Sequence, residues 1–275
     1  MKKSKMLWIF AGILIFVNIV FYLTFQVFKW PGGTFMKIFS DGLPVICALV
    51  ASLSLFSAFK GFKEFDFVKM AWMLIFIGIT ADLIAETIYG VLEVGFKMNM
   101  DETYPSIADY FWCGAYIFFL TGLAMMFFGY KNSGFPMGKI IMYILIIIVC
   151  LGLFCLVLFL LLIPYLKDAS STPLAKFISL FYPIGDMLCV IPAIILMYIT
   201  SLLGKGALSR PWRFLAIGFI CFTLADMIYL YLVNAKLYGN GNFVDLAWHS
   251  GYLLIALSGI YQKELLESFK EGAAL

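Results

Sequence analysis

The chain has 275 residues, 64% of them hydrophobic and only 13% charged, with a formal net charge of +3. Soluble domains carry about 25% charged residues, so a water-soluble fold is excluded, and so small a charge gives no footing for nucleic acid. The apolar residues fall in blocks of roughly 20, the length that crosses a bilayer core of about 30 Å, which predicts an all-α polytopic membrane protein.

Lys2, Lys3 and Lys5 precede an apolar run from Met6 to Phe28. That run is too long for a signal-peptide core and no small-residue cleavage site follows it, so it reads as a retained first span. Eight spans are predicted, at 6–28, 41–59, 70–92, 107–128, 140–163, 183–203, 212–233 and 244–261. Turn-forming separators divide them: Trp30-Pro31-Gly32-Gly33, the charged run Lys60 to Lys69, Lys131-Asn132-Ser133-Gly134, and Asn240-Gly241-Asn242. Ser170 to Tyr182 reads as a short interfacial helix leading into span six. With the N-terminus inside, the inner loops and tails hold 13 of the 19 lysines and arginines and the outer loops hold 6, namely Lys29, Lys37, Lys97, Lys167, Lys176 and Lys236. The positive-inside rule then predicts a plasma-membrane protein with both termini cytoplasmic.

Two stretches match one another. Ala81-Asp82-Leu83-Ile84 in span three resembles Ala225-Asp226-Met227-Ile228 in span seven. One span later, the spacing D-x-x-W-x-x-x-Y occurs as Asp109, Trp112, Tyr116 and again as Asp245, Trp248, Tyr252. The chain therefore reads as a single transmembrane domain, 1–275, built from two parallel four-helix repeats over about 6–130 and 138–262. In a parallel repeat the two halves share one orientation. Residues 263–275 read either as a solvated tail or as the start of a linker helix.

The spans carry acids without bases. Asp41, Asp82, Glu86, Asp109, Asp186, Asp226 and Asp245 lie within or at the outer rim of the predicted spans, and no lysine or arginine lies between their ends. A carboxylate at membrane depth costs on the order of 2.5–3.5 kcal/mol on insertion scales. It must be protonated, face water, bind a cation or accept several hydrogen bonds. Asp82, Glu86 and Tyr89 share one helical face, as do Asp226 and Tyr229; His249 falls four residues after Asp245. Structural readings compete with functional ones. Ser106-x-x-Asp109 and Asn242-x-x-Asp245 have capping-box spacing, Trp112 and Trp248 suit an interfacial belt, Asp41 and Asp186 suit a wetted rim, and a lone histidine suits packing. Asp82, Glu86 and Asp226 lie deepest and away from helix starts, which favours a site or an obligate polar network.

Other chemistries find no residues. The six cysteines form no CxxC pair, which gives neither a disulfide framework nor a metal site. No mid-span lysine offers a Schiff base, one histidine cannot ligate a haem from both sides, and no hydrolase or phosphate-loop motif occurs. No cofactor is expected.

Tyr104-Pro105-Ser106-Ile107-Ala108-Asp109-Tyr110, continuing to Gly114-Ala115-Tyr116, resembles the signature of multi-span membrane input modules that precede diguanylate cyclase or histidine kinase domains in bacteria and archaea. Asp245-Leu246-Ala247-Trp248 with Tyr252 resembles a second copy. The resemblance covers about a third of the chain. It implies a sensor that binds a small molecule or lipid and signals through its last helix to an output domain; none follows before Leu275. Eight spans with acids late in spans three and seven are also similar to the lysoplasmalogenase-like membrane hydrolases, which implies catalytic roles for Asp82 and Asp226. A proton- or cation-coupled carrier is a third class consistent with mid-span acids.

The reading that joins these features is a sensory module for a small cationic or amphiphilic ligand, with catalysis left open as the alternative. Its outward-facing pocket is expected to use Asp82, Glu86, Tyr89, Asp109, Trp112, Tyr116, Asp186, Asp226, Tyr229, Asp245, Trp248, His249 and Tyr252. Carboxylates and aromatic faces together suit a cation. The bilayer is the expected surrounding, and a homodimer is left open.

Overall fold

A computed structural model describes residues 2–29, 33–100, 103–157, 159, 163, 172–202, 206–239 and 241–270. Trp30-Pro31-Gly32, most of the predicted fifth span beyond 157, Lys167, Ser170, Lys205, Asn240 and the final five residues lie outside them.

The described residues form eight α-helices: α1 (Lys2–Tyr22), α2 (Gly33–Phe59), α3 (Phe67–Gly90), α4 (Ile107–Asn132), α5 (Ile140–Val157), α6 (Pro173–Ser201), α7 (Arg210–Asn234) and α8 (Asp245–Lys270). Wider π-helical turns, Leu23–Val27 and Val91–Gly95, extend α1 and α3. Starts are fixed by side chains that satisfy the free N–H groups of a first turn. Asp66 caps α3 through Lys69 N at 2.8 Å, Thr172 caps α6 ahead of Pro173, and Ser106 with Asp109 forms a capping box on α4. Five stretches are long and apolar enough to cross a membrane: Gly33–Phe59, Phe67–Gly95, Ile107–Asn132, Pro173–Ser201 and Arg210–Asn234. Gly12–Val27 and Ile140–Leu156 are shorter apolar helices. Ile13, Phe16, Leu53, Ile117, Ile148 and Leu224 are exposed on helix exteriors, which only a lipid surround makes inexpensive. The protein is a polytopic helical membrane protein.

Six helices close a ring in which each packs on the next: α2, α3, α4, α6, α7, α8 and back to α2. Helix α1 lies outside it against α8, and α5 lies outside against α6. Close approach needs small residues where lipid tails compete with every side chain. A Cβ on Gly218 of α7 would sit 3.0 Å from the Gly251 carbonyl of α8, so neither position has room for one.

The two ends of the ring differ. Toward the start of α1 and the end of α8 the interior is dry and aromatic. Trp72 and Trp212 pack at 5.1 Å between ring centroids, Phe119 meets Phe219 edge-on at 5.2 Å, and all four are essentially inaccessible. At that end Trp8 of α1 donates to Glu264 of α8 at 3.3 Å, and Lys270 donates to the Gly61 carbonyl at 2.8 Å. Residues 263–270 are thus a continuation of α8 seated on the α2–α3 loop.

Two helices begin earlier than the apolar pattern predicts. Helix α2 starts at Gly33 rather than 41, which brings Lys37 out of a loop and into its first turns. Helix α6 starts at Pro173 rather than 183, as one continuous helix through Pro183 and Pro192 instead of an interfacial piece followed by a span. Pro183 looked like a helix start because proline usually sits there. Within a membrane helix it is tolerated where neighbouring groups satisfy the carbonyl it strands.

Candidate functional site

The other end of the ring is hollow. A cavity of about 220 Å³ lies among the six ring helices, and α1 and α5 contribute nothing to its lining. Roughly 10–15 Å³ of such space suffices for one water, so the cavity has room for a small molecule. All thirteen residues singled out in the sequence line it, from Asp82 on α3 to Tyr252 on α8. No lysine or arginine does, and His249 is its one basic side chain among the described residues.

Helix geometry sorts the acids into two tiers. The deep tier holds Asp82 and Glu86 from α3, Asp186 from α6 and Asp226 from α7. Asp226 is the hub. It accepts the Trp248 indole N–H at 2.7 Å, lies within hydrogen-bonding reach of Asp186, and faces Asp82 and Glu86 across the cavity. Glu86 accepts from the Tyr252 hydroxyl at 2.8 Å, with Trp112 in reach of the same carboxyl. Asp186 accepts from Tyr116 at 2.8 Å. No donor among the described residues bonds to Asp82. Asp186 sits in this tier and not on a wetted rim because α6 begins ten residues early, which carries it inward to 1% exposure.

The rim tier holds Asp41, Asp109 and Asp245. Asp109 accepts from the Ser106 N–H at 2.7 Å with one oxygen and from Tyr182 at 2.7 Å with the other. Asp109 thus caps its own helix with one oxygen and ties α4 to the cavity-lining Tyr182 with the other. Asp245 opens α8 and accepts from Tyr238 at 3.1 Å. Burial pushes the Tyr238 hydroxyl well above its ordinary pKa, with the nearby Asp245 carboxyl adding to the effect, so it stays protonated as a donor. Asp41 faces Glu93, a buried acid of the π-helical turn, and Glu93 pairs with Lys37 at 3.0 Å. This ion pair beside Asp41 was not anticipated, because Lys37 read as a loop residue and Glu93 fell just past the predicted end of a span.

Aromatic rings wall the space. Tyr89 packs on Trp112 at 5.9 Å, and Tyr229 packs on Trp248 at 5.4 Å and on Tyr238 at 4.7 Å. Trp112 and Trp248 thus face the cavity and not only a lipid interface. The ring of Tyr116 fits a slot cut by Gly185, where a Cβ would lie 2.7 Å from it. Pro44 and Pro183 also line the cavity. Each removes the helical donor to the carbonyl four residues earlier, and those residues, Ser40 and Ser179, are cavity-lining too. Of these further lining residues, Tyr104 and Ser106 fell inside the quoted motif, whereas Tyr182 and Tyr238 carried no signal beyond being tyrosines near helix ends.

Four buried polar atoms of cavity-lining residues have no hydrogen-bond partner among the described residues: Asp41 Oδ2, Asp186 Oδ2, Asp245 Oδ2 and His249 Nδ1. Buried polar groups are seldom left so. Among the described residues no cluster has the make-up of a metal site. No protein-family model, curated protein or solved structure significantly matches the chain.

Proposed function

We propose that the chain is an eight-span sensory module whose cavity binds a small organic cation. One observation carries this reading: seven carboxyl groups converge on an aromatic-walled cavity that no lysine or arginine lines, with three of their oxygens buried and unpartnered. Removing several carboxylates from water without counter-charge is costly, and a bound cation offsets that cost. Indole and phenol faces add to the attraction. Two matched halves are supported by the ring, since α2–α3–α4 and α6–α7–α8 pack in the same sequence and α2 meets α8 as α6 meets α4. Ser40-x-x-x-Pro44 and Ser179-x-x-x-Pro183 add a further matched spacing in corresponding helices. An outward-facing mouth agrees with the cavity lying at the end opposite the start of α1 and the end of α8, if both are cytoplasmic as the lysine and arginine distribution indicates. The likeness to input modules supplies the sensory role, with α8 linking the cavity to residue 270.

The test is direct binding to the purified protein in nanodiscs, by calorimetry, with n-butylamine and choline as cations and n-butanol as the uncharged control. Saturable binding of the amines alone supports the proposal; equal binding of the alcohol, or none of either amine, refutes it. A second reading, the lipid hydrolase, is favoured by the adjacency of two carboxyls able to divide acid and base roles. In the deep tier the pair within hydrogen-bonding reach is Asp186–Asp226 rather than Asp82–Asp226. That reading requires aldehyde release from a vinyl-ether lysolipid, lost in Asp186→Asn and Asp226→Asn.

A further inference from the structure

The vertical arrangement of the acids narrows the ligand class, and this step rests on the cavity being a cation site. Helix α8 carries Asp245 in the rim tier and, seven residues deeper, Tyr252, whose hydroxyl donates to Glu86 in the deep tier. Helix α4 repeats the arrangement with Asp109 above and Tyr116 below, the latter donating to Asp186. Seven residues of helix rise roughly 10 Å. Each of these helices therefore carries a rim carboxyl about two turns above the tyrosine that holds a deep one, and across the cavity Asp41 packs level with Gly90, about one turn above Glu86.

Each tier is a carboxyl station with an acceptor that takes no N–H or O–H donor among the described residues. These are Asp186 Oδ2 below, in a carboxyl beside that of Asp226, and Asp245 Oδ2 and Asp41 Oδ2 above, the latter in a carboxyl facing Glu93. Asp186 is 1%, Asp245 6% and Asp41 9% exposed, so water does not reach them freely. Between the tiers the walls are the rings of Trp112, Trp248, Tyr89 and Tyr229, which suit methylene groups better than charge. An acidic floor, an apolar waist and an acidic rim are complementary to a molecule with a cation at each end and a hydrocarbon chain between.

We infer that the cavity binds a linear diamine or polyamine, end-on, with one ammonium among Asp186, Asp226 and Glu86 and the other between Asp41 and Asp245. The chain lies along the aromatic waist. A monoamine occupies only one station.

The experiment is a length series of α,ω-diamines, from four to ten methylenes, titrated calorimetrically into the full chain in nanodiscs beside the matching monoamines. Affinity is expected to climb with length and peak where the amines stand roughly 6–10 Å apart, one to two helical turns, at least tenfold tighter than the monoamine of equal length. Asp245→Asn is expected to weaken that best diamine at least tenfold more than it weakens butylamine. Diamines no tighter than monoamines at any length overturn the two-station arrangement while leaving a cation site standing. Absence of binding by every amine overturns both. The wild-type length series decides the matter even if Asp245→Asn fails to fold.

Discussion

Asp82 and Asp226 occupy the same place in two matching Ala-Asp sequences, yet the molecule treats them differently. Asp226 takes an indole N–H from Trp248 and stands beside Asp186. Asp82 takes no donor among the described residues, because the counterpart indole of Trp112 is turned to Glu86. Position 230, the counterpart of Glu86, is Leu230. One extra acid on α3 thus redirects both the tryptophan of α4 and the tyrosine of α8. Similar sequence here builds similar helices, while the polar network is set by the few positions where the two matching stretches differ.

That contrast can be broken in order of expected effect. Asp226→Asn removes the hub and is expected to weaken amine binding about a hundredfold, against about tenfold for Asp82→Asn, as loss of one partner from a buried charge pair commonly does; calorimetry checks both. Trp248→Phe leaves the Asp226 carboxyl without its indole donor and is expected to cost about 2 kcal/mol of stability, the scale of an orphaned buried acceptor. Trp112→Phe should cost less, since Tyr252 still serves Glu86. Thermal unfolding of the two variants side by side gives the ordering. Gly185→Ala fills the slot of the Tyr116 ring and is expected to cost about 1–2 kcal/mol, with the loss largely absent in a Tyr116→Ala background if the ring contact is its cause. Lys37→Gln is the mildest. Its ion pair is half exposed and worth under about 1 kcal/mol, so unfolding should hardly move while amine affinity rises two- to threefold, because the mouth loses its competing cation.

The apolar blocks were legible because lipid requires them: each predicted span has a helix among the described residues, and the acids and aromatics stood out against an uncharged background. Boundaries were less so. Gly33 to Ser40 is helical although it fell between predicted spans, and Pro173 to Tyr182 runs on into the span instead of forming a separate interfacial helix, since capping by Thr172 and contact with neighbouring helices outweigh local preference. Those ten residues at the start of α6 are why Asp186 was legible as a site residue but not as the partner of Asp226. Glu93 and Lys37 were missed for the same reason, one lying in a π-helical turn and the other in a helix start. Tyr182 and Tyr238 depend on which helices become neighbours, and that information is absent from any single segment.

The stacked indoles of Trp72 and Trp212, with Phe119 and Phe219 above them, turn the chamber into a blind alley. In the proposed cation site a guest would leave by the mouth through which it entered, and occupancy would be read out as a bound fraction. Passage to the far side would require four of the most tightly held rings in the molecule to part. A disulfide placed across that floor would therefore silence a carrier and leave a receptor untouched.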